Sequence, residues 1–372
     1  MRGYAAALGV TVLSASGCHS GPSLPACPGG NEILTVSPLD PADFTGLVPL
    51  GNLNPPGHTF PTDHLYFYVR RQTPGDWATP PAAVPVVSPG HLWITSVASS
   101  EHLSASPPYT DYTIEAQPCA DVGIQFGHVE ALDAGLAARL GPISGSCQQY
   151  STGGQTYRNC RQAVNVEVAA GDAIGTAGGV VGQNALDVGG WDLRTAPMAY
   201  ANPTRLDGQR LHIVCPVDYF AQPVRDALRS RFGDYLGAVL RTAEPRCGEV
   251  MQDVPGTAQG KWYRAATPTS PEDPHLALVH DNVDPTRAAF SVGTSVPGLG
   301  PGVLAFFPTS AGQVGRDFRD VVPGSIYCWD LTGGRAILQL TSATALQLQF
   351  DASASCGAGP WTLGPAAVAF ER

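Results

Sequence analysis

The alternation of apolar and polar positions along the chain predicts strands far more often than helices. Short runs of β-branched and aromatic residues are bounded by Gly, Pro or Asp, which is typical of strands joined by turns. In the first two thirds of the chain the predicted strands are 65–70, 84–87, 92–97, 112–115, 122–126 and 164–168. After Cys247 they are 256–262, 276–279, 303–307, 326–329, 336–340 and 346–350.

Helical periodicity is confined to two segments. Residues 130–140 predict a short helix that ends near Gly141. Residues 223–236 predict a longer one, because apolar side chains recur there every four positions and Pro223 stands near its start. These two helices are few for a chain of 372 residues, so the pattern predicts a mainly β protein.

The chain is long enough for two domains of ordinary size. We expect the first to span residues 32–240 and to end with the longer helix. Residues 245–372 hold six or more short predicted strands at turn-rich spacing, which favours a second small β-barrel or β-sandwich. The content of 43 Gly and 34 Pro suits short strands and many turns, while 43% hydrophobic residues supply material for cores.

The first residues have the layout of a secretory signal. Residues 5–13 are apolar but shorter than the stretch of about 20 that spans a bilayer, and small residues follow. The segment 15–18, Ala-Ser-Gly-Cys, resembles the lipobox of bacterial lipoproteins, which implies cleavage after residue 17 and lipidation of Cys18. An ordinary signal peptide with Cys18 near its cut is the alternative. Residues 18–31, rich in Gly, Pro and Ser, are predicted to form a flexible tether.

Charge narrows the choice of partners. The formal net charge is -10 and no basic stripe occurs, which argues against nucleic acid as a partner. An acidic protein gains no electrostatic attraction to an anionic membrane. Membrane attachment is therefore expected through the lipid on Cys18 alone, and the location is the cell envelope outside the cytoplasm.

The nine cysteines support export. With Cys18 set aside for lipid, an even number remains, which favours disulfides in an oxidising compartment. Eight cysteines allow about 105 connectivities. A preference for local pairs favours Cys147–Cys160, Cys215–Cys247 and Cys328–Cys356, which leaves Cys27–Cys119 as the fourth pair.

Four pieces of sequence between residues 55 and 195 occur in an order that suggests chemistry. The first is a strand entered by His58, Asp63 and His64, and the second is the apolar run 84–97. The third ends in Phe-Gly-His128-Val. The fourth is 166–178, with the spacing Val-x-x-Gly-Asp-x-Ile-Gly-x-x-Gly, followed by a further strand.

This order resembles the lysostaphin-type zinc endopeptidases that cut peptidoglycan cross-links. The resemblance covers about 140 residues and implies that family's β-sheet sandwich, a duplicated hybrid motif. It also implies zinc as the cofactor, with metal ligands among His58, Asp63 and His64, and His128 as a catalytic histidine. Peptidoglycan is the implied partner.

The chain departs from the family pattern at two places. His58 and Asp63 are five residues apart, where the family has four. The final strand reads Leu-Asp187-Val-Gly189 instead of supplying a His-x-His pair. A catalytic zinc needs three protein ligands and an open position, so one ligand is lost unless Asp187 replaces it with oxygen.

The departures favour a degenerate relative without peptidase activity. Its predicted role is cell-wall binding or regulation by an envelope lipoprotein, with no cofactor. An active zinc metallohydrolase that cuts peptidoglycan cross-links is the second hypothesis. A structural interaction module, with resemblance arising from ordinary β-hairpins, is the third.

Overall fold

The computed structural model of the protein describes residues 24–372 and is mainly β. Three sheets and two short α-helices make up the regular structure, and no sheet mixes strands from before and after residue 240. The predicted cleavage site and lipidated Cys18 lie outside the described residues. Neither α-helix is long and apolar enough to cross a membrane within 24–372.

The larger sheet of the N-terminal part has eight strands, and a second sheet of three strands packs beside it. In chain order the strands are β1 (Phe44–Val48), β2 (His64–Val69), β3 (Val84–Val87), β4 (Leu92–His102), β5 (Tyr109–Cys119), β6 (Val122–Val129), β7 (Ala131–Leu132), β8 (Ser146–Thr152), β9 (Gln155–Val168), β10 (Ala173–Ala177) and β11 (Ala185–Asp192). The eight-stranded order is β1-β2-β11-β6-β5-β4-β9-β8, and the small sheet is β3-β10-β7. We call the eight-stranded assembly the N-terminal sheet.

The C-terminal sheet also has eight strands: β12 (Gly260–Arg264), β13 (Leu276–His280), β14 (Ala288–Val292), β15 (Gly302–Phe306), β16 (Ile326–Leu331), β17 (Gly334–Ser342), β18 (Ala345–Ala352) and β19 (Val368–Glu371). Its order runs from β15 through β12 and β19 to β16. The segment 309–316 bridges towards edge strand β16, where Val314 pairs with Cys328. This bridge nearly closes the sheet into a barrel, as the spacing of its strands predicts.

Each large sheet has its own hydrophobic core. One core joins Phe44, Phe67, Phe126 and their neighbours, and the other is built around Trp262 and Phe290. In β18, buried and partly exposed positions alternate, which confirms the period-two pattern of the sequence there. Every residue of β11 is buried, and the strand lies inside the sheet between β2 and β6.

The first predicted helix, 130–140, is confirmed at its end as α1 (Ala134–Leu140), which Gly141 terminates, but its start is wrong because residues 131–132 form β7. The second prediction, 223–236, is wrong at its end, because α2 spans only Gln222–Arg229. Beyond it, Phe232 forms a parallel bridge with Leu47 of β1, and the amide of Gly233 donates to the Leu47 carbonyl. Pairing with the sheet edge therefore outweighs the helical periodicity.

All four predicted disulfides are confirmed: Cys27–Cys119, Cys147–Cys160, Cys215–Cys247 and Cys328–Cys356. Cys147 and Cys160 face one another directly across β8 and β9. Four disulfides in one chain indicate an oxidising compartment outside the cytoplasm.

Gly123 of β6 is expected to be a stability-critical glycine. It lies opposite Trp191 of β11, and a Cβ atom added there would come within 2.0 Å of the indole ring. We expect Gly123→Ala to lower the free energy of unfolding by about 1–3 kcal/mol, since the buried ring has to move. The control is Gly302→Ala, because a Cβ at Gly302 meets no atom within 4 Å.

Urea unfolding with the disulfides intact measures both variants. Gly302→Ala should leave stability unchanged or raise it slightly. Equal stability of the two variants would contradict the packing of Trp191 over Gly123.

Candidate functional site

The candidate site is built on the central strands of the N-terminal sheet. Register pairs Gly189 of β11 with His64 of β2 on one side, and Asp187 with Gly127 of β6 on the other. Residues two apart on a strand share a face, so Asp187 lies on the same side of β11 as Gly189. The Nε2 atom of His64 is 3.4 Å from Oδ2 of Asp187.

His128 reaches the same carboxylate from a bulge in β6. The register between β5 and β6 shifts at this point, and His128 has a positive φ of 58°. Left-handed backbone at a non-glycine residue costs on the order of 1 kcal/mol and is concentrated at functional sites. The bulge directs the imidazole to Asp187, with Nε2 of His128 3.5 Å from Oδ2.

The preceding Gly127 leaves room for this arrangement. A Cβ added there would lie 3.2 Å from Cβ of Asp187, which faces it across the strands. Glycine at this position therefore allows close approach of β6 to the carboxylate-bearing strand.

A carboxylate holds the other nitrogen of each imidazole. Oδ1 of Asp63 lies 3.0 Å from Nδ1 of His64, and Oδ2 of Asp111 lies 2.6 Å from Nδ1 of His128. The side-chain amide of Gln183 donates to the same Asp111 oxygen at 2.5 Å. Such outer carboxylates fix the orientation of an imidazole and leave Nε2 for the site.

The charges of this cluster alter the proton affinity of its members. Burial lowers the pKa of His128, but the charge of Asp187 and the bond to Asp111 outweigh it and raise the pKa to about 9. The pKa of His64 is raised for the same reason, against burial, by Asp187 and Asp63. Without a metal, the cluster therefore favours two imidazolium groups facing one carboxylate.

The pKa of His58 is shifted in the opposite direction. Burial and the neighbouring His64 lower its pKa to about 4, despite the nearby carboxylates. The ring centroids of His58 and His64 are 5.5 Å apart. His58 is therefore a neutral imidazole at pH 7 beside the charged pair.

Two buried atoms at the centre have no hydrogen-bond partner within residues 24–372: Nε2 of His64 and Oδ1 of Asp187. In the same part of the chain, no group of three or more His, Cys, Asp or Glu side chains stands assembled as a complete metal site. Buried polar atoms are rarely left unsatisfied, so these two indicate a ligand.

A groove of about 620 Å³ lies on the polar face of the N-terminal sheet, and the cluster borders it through His58, Asp63 and His64 but not through His128 or Asp187. His58, Asp63 and His64 line one end of it. Farther along, Arg161 of β9 pairs with Glu115 of β5, with Nη2 and Oε1 2.7 Å apart. We call this space the sheet groove. It is polar, carries both signs of charge and is open to solvent.

The structure brings together His58, Asp63, His64 and His128, the four residues that the sequence identifies, with Asp187, which the sequence offers as an oxygen replacement for the lost ligand. Asp63 stands behind His64 and orients it. Sequence reasoning missed Asp111, His102 and Gln183, which surround His128. The strand pattern held a signal for Asp111, because it shares a face of β5 with Thr113 and Glu115. The predicted strand began at residue 112, one position too late.

The resemblance to lysostaphin-type peptidases rests on these residues and on their order along the chain. No family model, no curated protein and no solved structure matches the chain.

Proposed function

We propose that the protein is an extracytoplasmic zinc-dependent hydrolase that acts on cell-wall peptides and is held at the envelope by a lipid on Cys18. One observation carries this proposal. The Nε2 atoms of His64 and His128 face the same oxygen of Asp187, at 3.4 and 3.5 Å. In this proposal His64, His128 and Asp187 are the three ligands. His128 is then a ligand instead of the catalytic histidine that the resemblance implies, and Asp63 orients His64 instead of binding the metal.

The distances suit zinc. In a tetrahedral site with bonds of about 2.0–2.1 Å, neighbouring ligand atoms lie about 3.3–3.4 Å apart. The two separations from Asp187 are close to that value. The proposal requires the imidazoles of His64 and His128 to approach one another when the ion binds. Nε2 of His64 and Oδ1 of Asp187, both without partners, would gain one.

The electrostatics also suit a divalent cation. Asp63, Asp111 and Asp187 bring three carboxylates next to the imidazoles of His64 and His128, and those of Asp111 and Asp187 are buried. Two protons on His64 and His128 neutralise most of this charge, and one zinc ion supplies the same positive charge. Metal binding and protonation of these imidazoles are therefore expected to compete.

A bound zinc would supply Lewis-acid chemistry towards the carbonyl of a peptide bond. The remaining roles belong to side chains. Asp63 and Asp111 hold the imidazoles by Nδ1. His58, neutral at pH 7 and lining the groove, is placed to accept a proton. The sheet groove would hold the peptide, with Glu115 and Arg161 as charged contacts.

A binding protein that does not cut is the second candidate. It is favoured by Gly189, which lies opposite His64 and supplies no side chain in the strand where the resemblance implies a His-x-His pair. The groove would then hold cell-wall peptide or glycan without the full set of catalytic imidazoles. This role matches a regulator of peptidoglycan enzymes.

Incubation of residues 19–372 with purified sacculi separates these functions. The hydrolase should release muropeptides, and a zinc chelator or His64→Ala should stop the release. His91→Ala is the matched control, since His91 is exposed and pairs with Glu167 outside the groove. Co-sedimentation without release would favour the binding protein. If the sacculi release no muropeptides and the protein does not sediment with them, the structural interaction module remains.

A further inference from the structure

A second cavity lies between the N-terminal and C-terminal sheets. It has a volume of about 330 Å³, and residues of both parts line it, including Phe60, Tyr200, Lys261 and Glu272. His58, Asp63, Tyr150, Arg210 and Ile213 line both this cavity and the sheet groove. The two spaces therefore adjoin one another, and we call the second one the Lys261 cleft.

Lys261 is the only lysine of the chain, and it is 8% exposed. Its backbone amide donates to Oδ1 of Asp253 at 2.9 Å, which fixes the start of β12. Its Nζ lies 5.4 Å from the ring centroid of Phe60 and 4.8 Å from that of Tyr200. Within residues 24–372 this ammonium makes neither a hydrogen bond nor an ion pair.

An ammonium without a partner in an enclosed cleft is energetically costly. The aromatic faces of Phe60 and Tyr200 offset part of that cost but accept no hydrogen bond in the ordinary sense. Burial lowers the pKa of Lys261, and the charges of Glu272 and Asp63 oppose that effect. The three N–H donors of the ammonium therefore remain available to an acceptor that enters the cleft.

The surroundings restrict the kind of acceptor. Oε2 of Glu272 accepts a hydrogen bond from the amide of Phe60 at 2.8 Å, so this carboxyl group is held in the cleft wall. Asp63 lines the same wall. Arg210, which lines the same cleft, pairs with Asp63 at 3.9 Å. The single charge of the Lys261 ammonium then matches a single carboxylate better than a ligand with several negative charges, such as a phosphate.

We propose that Lys261 binds the terminal carboxylate of a peptide whose other residues lie in the sheet groove. This subsite rests on the proposed function for the identity of the peptide, but not for the carboxylate. It would fix the direction of the chain: the C-terminus enters the Lys261 cleft, and preceding residues pass His58 towards His64 and Asp187.

The single lysine makes a direct test practical. Protein labelled with ¹³C at lysine Cε has one side-chain signal, and it reports the Lys261 environment. The probes are the tetrapeptide stem of peptidoglycan as the free acid and as its C-terminal amide. We expect the free acid to shift this signal with saturation and to bind about tenfold to a hundredfold more tightly than the amide, because a charged hydrogen bond is lost in the amide.

Two variants complete the test by calorimetric titration. Lys261→Met should bind acid and amide alike, while Lys261→Arg should keep a preference for the acid. Thermal unfolding shows whether Lys261→Met is folded. Equal binding of acid and amide by the wild type, binding of neither, or a preference that survives in folded Lys261→Met would overturn the proposal.

The outcomes are independent of those for the proposed function. If the wild type cuts sacculi but binds the free acid and the amide equally, the carboxylate subsite is rejected and the hydrolase is retained. A Lys261-dependent acid preference in a protein that neither binds zinc nor cuts sacculi would retain the subsite and reject the hydrolase.

Discussion

Asp187→Asn is expected to reduce the zinc content of the purified protein from about one ion per chain to near zero. Asp187 is the one group that both imidazoles face, through its Oδ2 atom. Asparagine keeps the shape of the side chain but removes its negative charge. It also turns an acceptor into an amide whose NH₂ group can face Nε2 of His64 or His128, which disfavours a cation between them.

Elemental analysis after dialysis against equal concentrations of zinc measures the effect. Asp226→Asn is the matched control, because Asp226 is exposed on α2 and lies outside the groove. Asp111→Asn gives an intermediate case. It leaves the three proposed ligands in place but frees Nδ1 of His128, so zinc affinity should fall by about 10- to 100-fold.

A zinc content that falls from wild type to Asp111→Asn and further to Asp187→Asn distinguishes a metal site from a chance cluster of charges. Zinc that is absent from the wild type, or that remains at wild-type levels in Asp187→Asn, would end the metal proposal. In that case the two imidazolium groups that the raised pKa values favour would be the native state of the cluster.

Much of the fold follows from local sequence. The β-branched runs bounded by Gly and Pro overlap observed strands, and the preference for local cysteine pairs identifies every disulfide. The end of the second helix could not be predicted in the same way. It depends on Phe232 pairing with Leu47, which lies more than 180 residues earlier in the sequence.

The candidate site also contains residues that local sequence predicts and contacts that it does not. His58, Asp63, His64 and His128 could be proposed from the sequence because their neighbours occur in an order that resembles the lysostaphin-type peptidases. The contact between Asp111 and His128 depends on the register of β5 against β6 and on a bulge at His128 itself. A shift of one residue in that register would turn Asp111 to the other face, so no local pattern predicts the contact.

The Lys261 cleft could not be predicted from the sequence either. Phe60 and Lys261 are about two hundred positions apart, and only the packing of the two sheets brings the aromatic ring to the ammonium. A single lysine in an arginine-rich chain suggests genomic base composition when it is met in a sequence. Its burial between aromatic rings gives the same residue a chemical role.

The last prediction concerns Glu272, the acidic group in the wall of the Lys261 cleft. Burial raises its pKa to about 7, although the amide of Phe60 and the charge of Lys261 oppose the rise. Asp63 adds to the rise and Arg210 opposes it. The folded protein thus favours the protonated acid relative to the unfolded chain, whose carboxyl titrates near its ordinary value of 4.5.

The sign of the pH dependence follows from linkage. A carboxyl whose pKa is raised by folding contributes stability below pH 4.5, and the contribution is lost as the pH rises through 7. Glutamine keeps an oxygen for the Phe60 amide and does not ionise. We therefore expect the unfolding free energy of Glu272→Gln, relative to wild type, to increase by about 2 kcal/mol between pH 4.5 and pH 8.

Urea unfolding at these two pH values, with disulfides intact, measures the difference. Glu249→Gln is the control, because Glu249 is exposed and its difference from wild type should not change with pH. A difference for Glu272→Gln that is constant across this range would show that Glu272 is ionised throughout. Its charge would then be stabilised by Lys261, the ammonium would no longer be free for a ligand, and the carboxylate subsite would lose its physical basis.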